Sequence, residues 1–167
     1  VRQAPVVERI ESIGTARARE AITVTSRVSG IVVAINFEEG QTVDAGDVLM
    51  ELDRSQQAAA HDRARAVADD ARTRLNRARQ LRATQAVAEA QIDQLEAALR
   101  QADAQVREAA AKIEEMKIIA PFAGRVGLRQ VSLGALIQPG TVVTTLDDLA
   151  RLRVEFAVPE VFVARLA

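Results

Sequence analysis

A stretch of 63 residues, from position 55 to 117, contains neither Gly nor Pro and follows a helical period. Apolar residues and alanines recur in it at alternating spacings of three and four, which is the 3.5-residue period of a coiled-coil seam. The seam of the second half is Ile92, Leu95, Leu99, Ala102, Val106, Ala109, Ile113 and Met116. The first half repeats the period at Ala60, Ala64, Val67, Ala71, Ala78 and Leu81, with Arg74 in one seam position and Leu75 beside it.

The two halves are predicted to form an antiparallel helical hairpin that turns near residues 83–89, where the charge density falls. Thr84 offers a side-chain oxygen for a new helix start. From 54 to 86 there are eight Arg and three Asp, a charge of +5; from 87 to 116 there are seven acids and three basic residues, a charge of −4. Opposite charges favour pairing of the two helices within one chain. Each arm would be roughly 40 Å long.

The overall composition excludes several classes of function. Four Phe and no Trp or Tyr among 167 residues make one large globular core improbable. A net charge of −1 and few aromatic rings argue against nucleic acid as a partner. The absence of Cys excludes disulfides, thiol catalysis and Cys-based zinc sites. No run reaches the ~20 apolar residues of a membrane span. Because Val1 is not an initiator, we expect that a targeting segment was removed or left out.

An internal repeat flanks the helical stretch. Three glycines recur at a constant offset of 94, and several apolar residues and one Asp match at the same offset. Each copy is predicted to be strand, turn, strand, turn, strand, with Gly supplying positive φ in the turns. A chance similarity between two β-rich segments is the alternative. The turn glycines are Gly30, Gly40 and Gly46 in the first copy, and Gly124, Gly134 and Gly140 in the second.

The first 27 residues are predicted to hold two strands. Residues 22–28 alternate apolar and polar side chains, as a half-buried strand does. Residues 6–13 also suit a strand, which would end at Gly14, although an irregular linker is the alternative for residues 1–13.

No catalytic, cofactor or metal site is predicted. His61 is the only His and is expected at a solvated helix position beside Asp62 and Arg63. Two Met, one His and no Cys make a soft-metal site improbable. The glycines lack phosphate-loop spacing. We therefore expect a protein that is not an enzyme.

The repeat resembles a biotinyl or lipoyl carrier domain in two halves. The residues 29–32, 39–43 and 45–49 are similar to its first half, and 120–126 with 134–140 to its second. The two lysines, Lys112 and Lys117, lie on or beside the second helix and not in the β-turn where a carrier has its modified Lys. A lipoyl-like domain interrupted by a helical hairpin resembles the periplasmic adaptor proteins, or membrane fusion proteins, of the HlyD-like family.

This resemblance implies an α+β fold: a lipoyl/biotinyl-like β-sandwich, split into two halves and interrupted by a long antiparallel coiled-coil hairpin, with strands of a truncated β-barrel. The expected divisions are N-terminal strands at 1–27, a barrel or linker region with the first lipoyl strand near its end, then lipoyl halves at 28–53 and 118–149, the hairpin at 54–117, and the incomplete barrel start at 150–167. The tail from Leu152 to Glu160 is similar to the first strand of that barrel.

The resemblance also implies a function. Adaptors that dock onto TolC-like ducts have, at the hairpin tip, an Arg, a Leu four residues later and a Ser seven after that. Arg77 and Leu81 match, whereas position 88 is Ala. The implied docking surface is Arg77, Leu81, Thr84, Gln85 and Ala88. Leu81 also fits the seam, so its role stays open.

The implied partners are an inner-membrane transporter of the resistance-nodulation-division (RND) type, a TolC-like outer-membrane channel, and further copies of the adaptor, six in the assembled drug-export pump. The implied location is the periplasm of a Gram-negative bacterium, at the inner membrane. The alternatives are an adaptor of an ABC-type exporter, a biotin or lipoate carrier with an inserted hairpin, and a cytoplasmic coiled-coil scaffold.

Overall fold

The structure is a computed structural model that describes residues 13–82 and 89–157. It contains ten strands and two helices in this described part of the chain. In chain order these are β1 (Gly14–Ala18), β2 (Ala21–Thr25), β3 (Gly30–Ile35), β4 (Thr42–Val43), β5 (Val48–Leu52), α1 (Ser55–Arg82), α2 (Glu89–Glu114), β6 (Lys117–Ile119), β7 (Gly124–Val126), β8 (Leu136–Ile137), β9 (Val142–Asp147) and β10 (Leu152–Phe156).

Eight of the strands form two four-stranded antiparallel sheets, ordered β2-β9-β7-β4 and β6-β5-β3-β8. One hydrophobic cluster between the sheets contains residues from both, including Val32, Leu52, Val126 and Leu146, each at most 1% exposed. The fold class is thus mixed α and β, with a β-sandwich and two helices. Strand β2 pairs with β9 in this sandwich and lies near the end of the segment 1–27, where the first lipoyl strand was expected.

The predicted internal repeat is confirmed. Adding 94 to the residue numbers of β4 gives those of β8. In the same way, the first residue of β3 corresponds to the first residue of β7, and the first residue of β5 to the first residue of β9. The same offset places β6 within the counterpart of β2, so the two sheets have equivalent strand orders. Equivalent positions have equivalent burial, as Val43 (5% exposed) and Ile137 (2%) illustrate. The sandwich is therefore an approximate two-fold arrangement of one structural unit.

The glycine prediction holds for four of the six residues. Gly40 and Gly134 have φ of 78° and 80°, and Gly46 and Gly140 have φ of 93° and 88°, which L side chains rarely adopt. Gly30 and Gly124 lack positive φ and begin strands β3 and β7, so their assignment as turn glycines was wrong. They are needed for close packing instead, because a Cβ on Gly124 would lie 2.7 Å from the carbonyl oxygen of Asp147.

The helices are inserted between two adjacent strands. Strand β5 ends just before α1 and pairs with β6, which begins just after α2. The Leu52 N–H donates to the Met116 carbonyl at 2.9 Å, which joins the entry and the exit of the insertion. Asp53 Oδ1 accepts the Ser55 N–H at 2.9 Å at the start of α1. Because the hydrogen bonds from Ser55 favour the ionised carboxyl, they lower the pKa of Asp53.

Strands β1 and β10 form a separate two-stranded sheet. Its register aligns Gly14 with Phe156 and Ala18 with Leu152. The large apolar side chains of β10 remain exposed. Residues 1–12 and 158–167, where the remaining N-terminal and barrel strands were expected, lie outside the described residues. Within the described parts of the chain, neither helix is long and apolar enough to cross a membrane.

Candidate docking surface on the helix pair

The two helices run side by side in opposite directions, as two cross-helix ion pairs show. Arg72 Nη2 lies 3.3 Å from Asp103 Oδ1, and Arg79 Nη2 lies 2.7 Å from Glu96 Oε1. The bond from Arg79, the largest cause, lowers the pKa of Glu96 because it favours the carboxylate. These contacts agree with the opposite charges that the sequence assigned to the two helices.

The buried face of α2 passes through the positions that were assigned to its seam. Ile92, Ala102 and Ala109 are buried, and the remaining seam positions within the helix are half-buried: Leu95, Leu99, Val106 and Ile113. Met116, just after the helix, is buried in the core of the sandwich. The four large residues at 92, 95, 99 and 106 therefore face α1 along most of the pair.

The buried face of α1 differs from the assigned seam at alternate positions. Ala64, Ala71 and Ala78 are buried or half-buried, as expected. Val67 is 51% exposed, however, whereas the adjacent Ala68 is 3% exposed, and Leu75 is 3% exposed where Arg74 had been placed in the seam. Leu75 and Ala78 pack against Ile92, with Leu95 and Leu99 beside them. The inclusion of Val67 in the seam was therefore wrong, because the contact face is rotated toward Ala68 and Leu75.

This rotation has a physical reason. A coiled-coil seam consists of two sets of residues, each repeating every seven positions. On α1 the first set is Ala64, Ala71 and Ala78. The second set could be the residues at 67 and 74 or those at 68 and 75, and the two choices give contact faces that differ by a rotation of the helix. The second set decides between them. Small Ala68 and the long side chain of Leu75 suit the space against α2 better than Val67 with Arg74, which would bury a charge. His61 also lies on this face and is half-buried, with 26% of its side chain exposed, so it is less solvated than a fully exposed helix position.

The predicted docking residues are described only in part. Arg77 and Leu81 lie four residues apart near the end of α1, so they share one side of the helix. Arg77 is exposed and Leu81 is 52% exposed, which places both on the surface of the helix pair. Thr84, Gln85 and Ala88 lie outside the described residues. The structure thus brings together two members of the predicted set.

An apolar patch on the sandwich was not anticipated from the sequence. Ile31 and Val33 of β3 are 47% and 51% exposed, and Leu136, paired with Ile31, is 70% exposed. Leu133 adjoins them, since the next residue, Gly134, donates its N–H to the Val32 carbonyl at 2.8 Å. The equivalent positions of the other sheet are Arg125, Gly127, Thr42 and Glu39. A comparison of the two repeat copies at their outward positions would have found this apolar face.

Among the described residues, no group of three or more His, Asp and Glu side chains is placed to bind a metal ion. Lys112 Nζ lies 2.7 Å from Glu108 Oε1, and Lys117 Nζ lies 3.0 Å from Glu114. Neither Lys is at the tip of a β-turn.

Comparisons with known proteins agree with this architecture. The family model described as RND MFP, barrel-sandwich hybrid domain, matches residues 20–146. Two proteins called multidrug resistance protein MdtA are similar, at 32% identity in Proteus mirabilis and 35% in Cronobacter turicensis. Each alignment covers 95% of this chain and 42% of the relative. This chain thus spans less than half the length of these relatives.

Solved structures give the same result. A chimeric protein of MacA and MexA, which contains the Pseudomonas aeruginosa MexA alpha-hairpin domain, is similar with a TM-score of 0.80 at 27% identity. The match covers 90% of this chain and 55% of that chain. The structural similarity therefore extends over both the sandwich and the two inserted helices.

Proposed function

This chain belongs to the family of RND membrane fusion proteins that have the barrel-sandwich hybrid domain, and we propose that it acts as the periplasmic adaptor of a tripartite drug-export pump. In this role it bridges an inner-membrane RND-type transporter and a TolC-like outer-membrane channel. The observation that supports this proposal best is the match of the family model over residues 20–146, which includes both halves of the sandwich and the inserted helices.

The helix pair is suited to the bridging role. We infer that α1, residues 83–88 and α2 form one coiled-coil hairpin, because both helices leave from the adjacent strands β5 and β6. Helices of 28 and 26 residues extend about 40 Å at 1.5 Å per residue. Apolar packing at Leu75 and Ile92 and the two cross-helix ion pairs stiffen this arm. A stiff arm of this length can bridge two partner proteins by its shape alone, without catalysing a reaction.

The end of the arm is proposed as the surface that docks onto the outer-membrane channel. Arg77 has no ion-pair partner among the described residues, so its guanidinium is available to bond carbonyl or carboxylate oxygens of a partner helix. The exposed side chain of Leu81 can fill a groove beside it. Thr84, Gln85 and Ala88 complete the proposed surface, and the small side chain of Ala88 permits a close approach.

The remaining features of the proposal follow from the adaptor role. The protein is located in the periplasm, associated with the inner membrane of a Gram-negative bacterium, and six copies assemble in the pump. It is not an enzyme and needs no cofactor. A role as a biotin or lipoate carrier is disfavoured, because Lys112 and Lys117 form ion pairs at helix positions and at the start of β6.

The test is drug export in a strain that lacks the gene. Expression of the protein from a plasmid should restore resistance to exported drugs and lower the accumulation of a fluorescent pump substrate. Unchanged drug susceptibility after deletion, with the related pumps also deleted, would exclude the pump assignment. Intact mass is a second check, since an added biotinyl or lipoyl group would indicate a carrier instead.

The docking surface is tested by Arg77→Asp. The loss of a charged contact in the centre of an interface should weaken binding to the purified channel at least about tenfold. Arg107→Asp is the matched control, since Arg107 is an exposed residue of α2 without an ion-pair partner among the described residues. Equal binding by the two variants would remove Arg77 from the surface.

A further inference from the structure

We propose that α1 can pack on α2 through either of two overlapping faces, and that a rotation of α1 about its own axis exchanges them. The first face is the one in the structure, which contains Ala68 and Leu75. The second face contains Val67, Arg74 and Leu81 instead. The rotation would expose or bury Leu81, and this consequence rests on the proposed docking surface.

The alanines of α1 allow both faces. Ala64, Ala71 and Ala78 are buried or half-buried, and they belong to the seam in either rotation. The second set of seam residues lies either three or four positions after each of these alanines. One residue corresponds to about 100° around the helix axis, and the centre of the face moves by half of this angle. A rotation of about 50° therefore converts one face into the other.

The seam of α2 is not fully covered by the first face. Its large side chains lie in one row, and Leu95 and Leu99 pack beside the cluster of Leu75 and Ile92. Both Leu95 and Leu99 are nevertheless only half-buried. Part of the apolar surface of α2 thus remains available to other apolar side chains of α1.

Apolar packing alone does not select the first face. This face buries Ala68 and Leu75, each 3% exposed. The second face would bury Val67 and Leu81, which are 51% and 52% exposed in the structure. Because burial stabilises in proportion to apolar area, the exchange of an Ala and a Leu for a Val and a Leu slightly favours the second face.

One charged residue, Arg74, opposes the second face. Its guanidinium lies 2.7 Å from the Asp70 carboxylate, and 66% of its side chain is exposed. In the second face Arg74 would occupy the seam between Val67 and Leu81, where burial of a charge is costly. A long side chain can direct its charged end back to solvent at the edge of a seam, which reduces this cost without removing it. Arg74 therefore controls how much of the second face is populated.

Two cross-helix ion pairs also favour the first face. Arg72, which binds Asp103, and Arg79, which binds Glu96, lie seven residues apart on one flank of α1. A rotation toward the second face would move this flank away from α2. The two Arg side chains are 54% and 55% exposed, and ion pairs with such exposure stabilise a fold little. The first face is thus held by weak interactions that small changes can outweigh.

The rotation would act on the proposed docking surface. In the first face Leu81 is 52% exposed and can enter a groove of the outer-membrane channel. In the second face Leu81 would pack against α2 and be withdrawn from the channel. A channel that contacts the exposed Leu81 binds only the first face, so docking and rotation are linked and each favours the other.

The labelling of single cysteines measures the rotation, since this chain contains no Cys. The full-length protein is prepared with Val67→Cys, Ala68→Cys or Leu81→Cys, and the rate of reaction with a maleimide is recorded for each. Arg74→Leu is then added to all three variants. Because this change replaces a charge by an apolar side chain in the second face, labelling should slow at 67 and 81 and accelerate at 68, each at least about threefold.

Gln80→Leu is the matched control. Gln80 is exposed on the outer side of α1 and belongs to neither face, so the same new side chain at this position should leave the three rates unchanged. A second variant, Glu96→Gln with Asp103→Asn, removes the acids of the two cross-helix ion pairs. It should shift the three rates in the same directions as Arg74→Leu does, at least about twofold, without adding an apolar side chain.

Opposite changes at 67 and 68 support the rotation, because a general loosening of the helix pair would accelerate labelling at both. Rates that stay constant, that rise together, or that change equally with Gln80→Leu would overturn it. A rate at 81 that does not slow together with the rate at 67 would overturn the link to the docking surface. Circular dichroism reports whether each variant keeps its helical signal, and if Arg74→Leu loses it, the variant without the two acids decides.

The labelling experiment does not depend on drug export. If no rotation is found, the adaptor function still stands. If the unmodified protein fails to restore export, the adaptor function is lost, and the labelling rates still decide whether α1 rotates.

Discussion

Gly124 shows how closely the strands of the sandwich approach each other at single residues. A Cβ added there would lie 2.7 Å from the Asp147 carbonyl oxygen, whereas one added at the equivalent Gly30 would lie 3.2 Å from the Leu52 Cβ. The sequence repeat indicated that both positions require Gly. It did not indicate that Gly is required for close packing between strands, because the sequence does not show the distance between a Cβ at these positions and the neighbouring strand.

Gly124→Ala should therefore destabilise the sandwich. The backbone oxygen cannot rotate away as a side chain can, so we expect a loss of about 1–3 kcal/mol in the free energy of unfolding. Gly30→Ala is the control and should cost less, since its added Cβ would lie 3.2 Å from the nearest atom, the Leu52 Cβ, and not 2.7 Å from a backbone oxygen. Urea denaturation of the two variants measures the difference. Equal losses would contradict the close approach at Asp147.

Asp53 is a second residue whose role is local. Its carboxylate accepts the Ser55 N–H at the start of α1, and this bond lowers the pKa of Asp53. A carboxyl whose pKa is lower in the folded state stabilises the fold above its ordinary pKa and loses that effect as the pH falls through the folded value.

Asp53→Ala should thus lower the thermal midpoint at neutral pH, and Asp53→Asn, which retains a side-chain oxygen, should lower it less. In acid, below the lowered pKa, the wild type and Asp53→Asn should converge. Scans of thermal unfolding against pH check this. If the thermal midpoints of the wild type and Asp53→Asn differ as much in strong acid as at neutral pH, the stabilisation does not come from the charge of Asp53.

At the scale of elements, the helix pair was predicted better for α2 than for α1. Large residues at Ile92, Leu95 and Leu99 leave one possible contact face on α2. On α1 the alanines fit two faces, and hydrophobicity alone favoured Val67 over Ala68. The space between two closely packed helices accommodates the smaller residue, Ala68. The period of the sequence does not show how close the helices are, so it could not predict this choice. The tip residues 84, 85 and 88 stay a prediction.

The register of α1 can be measured by a pair of truncations. Leu75→Ala removes a side chain that is 3% exposed, so we expect a loss of about 2–4 kcal/mol in the free energy of unfolding of the helix pair. Val67→Ala, at 51% exposure, should change it by less than about 0.5 kcal/mol. Helical circular dichroism during denaturation measures both. A larger loss of stability for Val67→Ala than for Leu75→Ala would show that Val67 belongs to the seam.

At the scale of the whole molecule, the sandwich and the helix pair have separate cores. One cluster of buried residues lies between the sheets, and a second, around Leu75, Ala78 and Ile92, lies between the helices. The connection between them is short, since β5 and β6 are paired up to Glu51 and Lys117. An insertion between neighbouring strands of one sheet does not interrupt the core, which explains how one repeat unit can contain 60 extra residues between 55 and 114.

Removal of residues 55–114 should therefore leave a folded sandwich. Asp53, Arg54, Glu115 and Met116 would remain and, with an inserted Asn-Gly, form a hairpin loop between β5 and β6. Met116 must be kept, because it is 6% exposed within the sandwich core. Circular dichroism should show the loss of the helical signal and a single cooperative unfolding transition of the β-structure.

The same deletion separates folding from export. In cells the shortened protein should accumulate but fail to restore drug resistance, because the surface proposed to meet the outer-membrane channel is gone while the sandwich remains. A matched variant in which residues 55–114 are kept and only Arg77 is changed to Asp should retain the full helical signal. If the shortened protein supported export as well as the wild type does, the bridging role of the helix pair would be wrong; if it failed to fold, the sandwich would depend on the helices in a way that the paired β5 and β6 strands do not suggest.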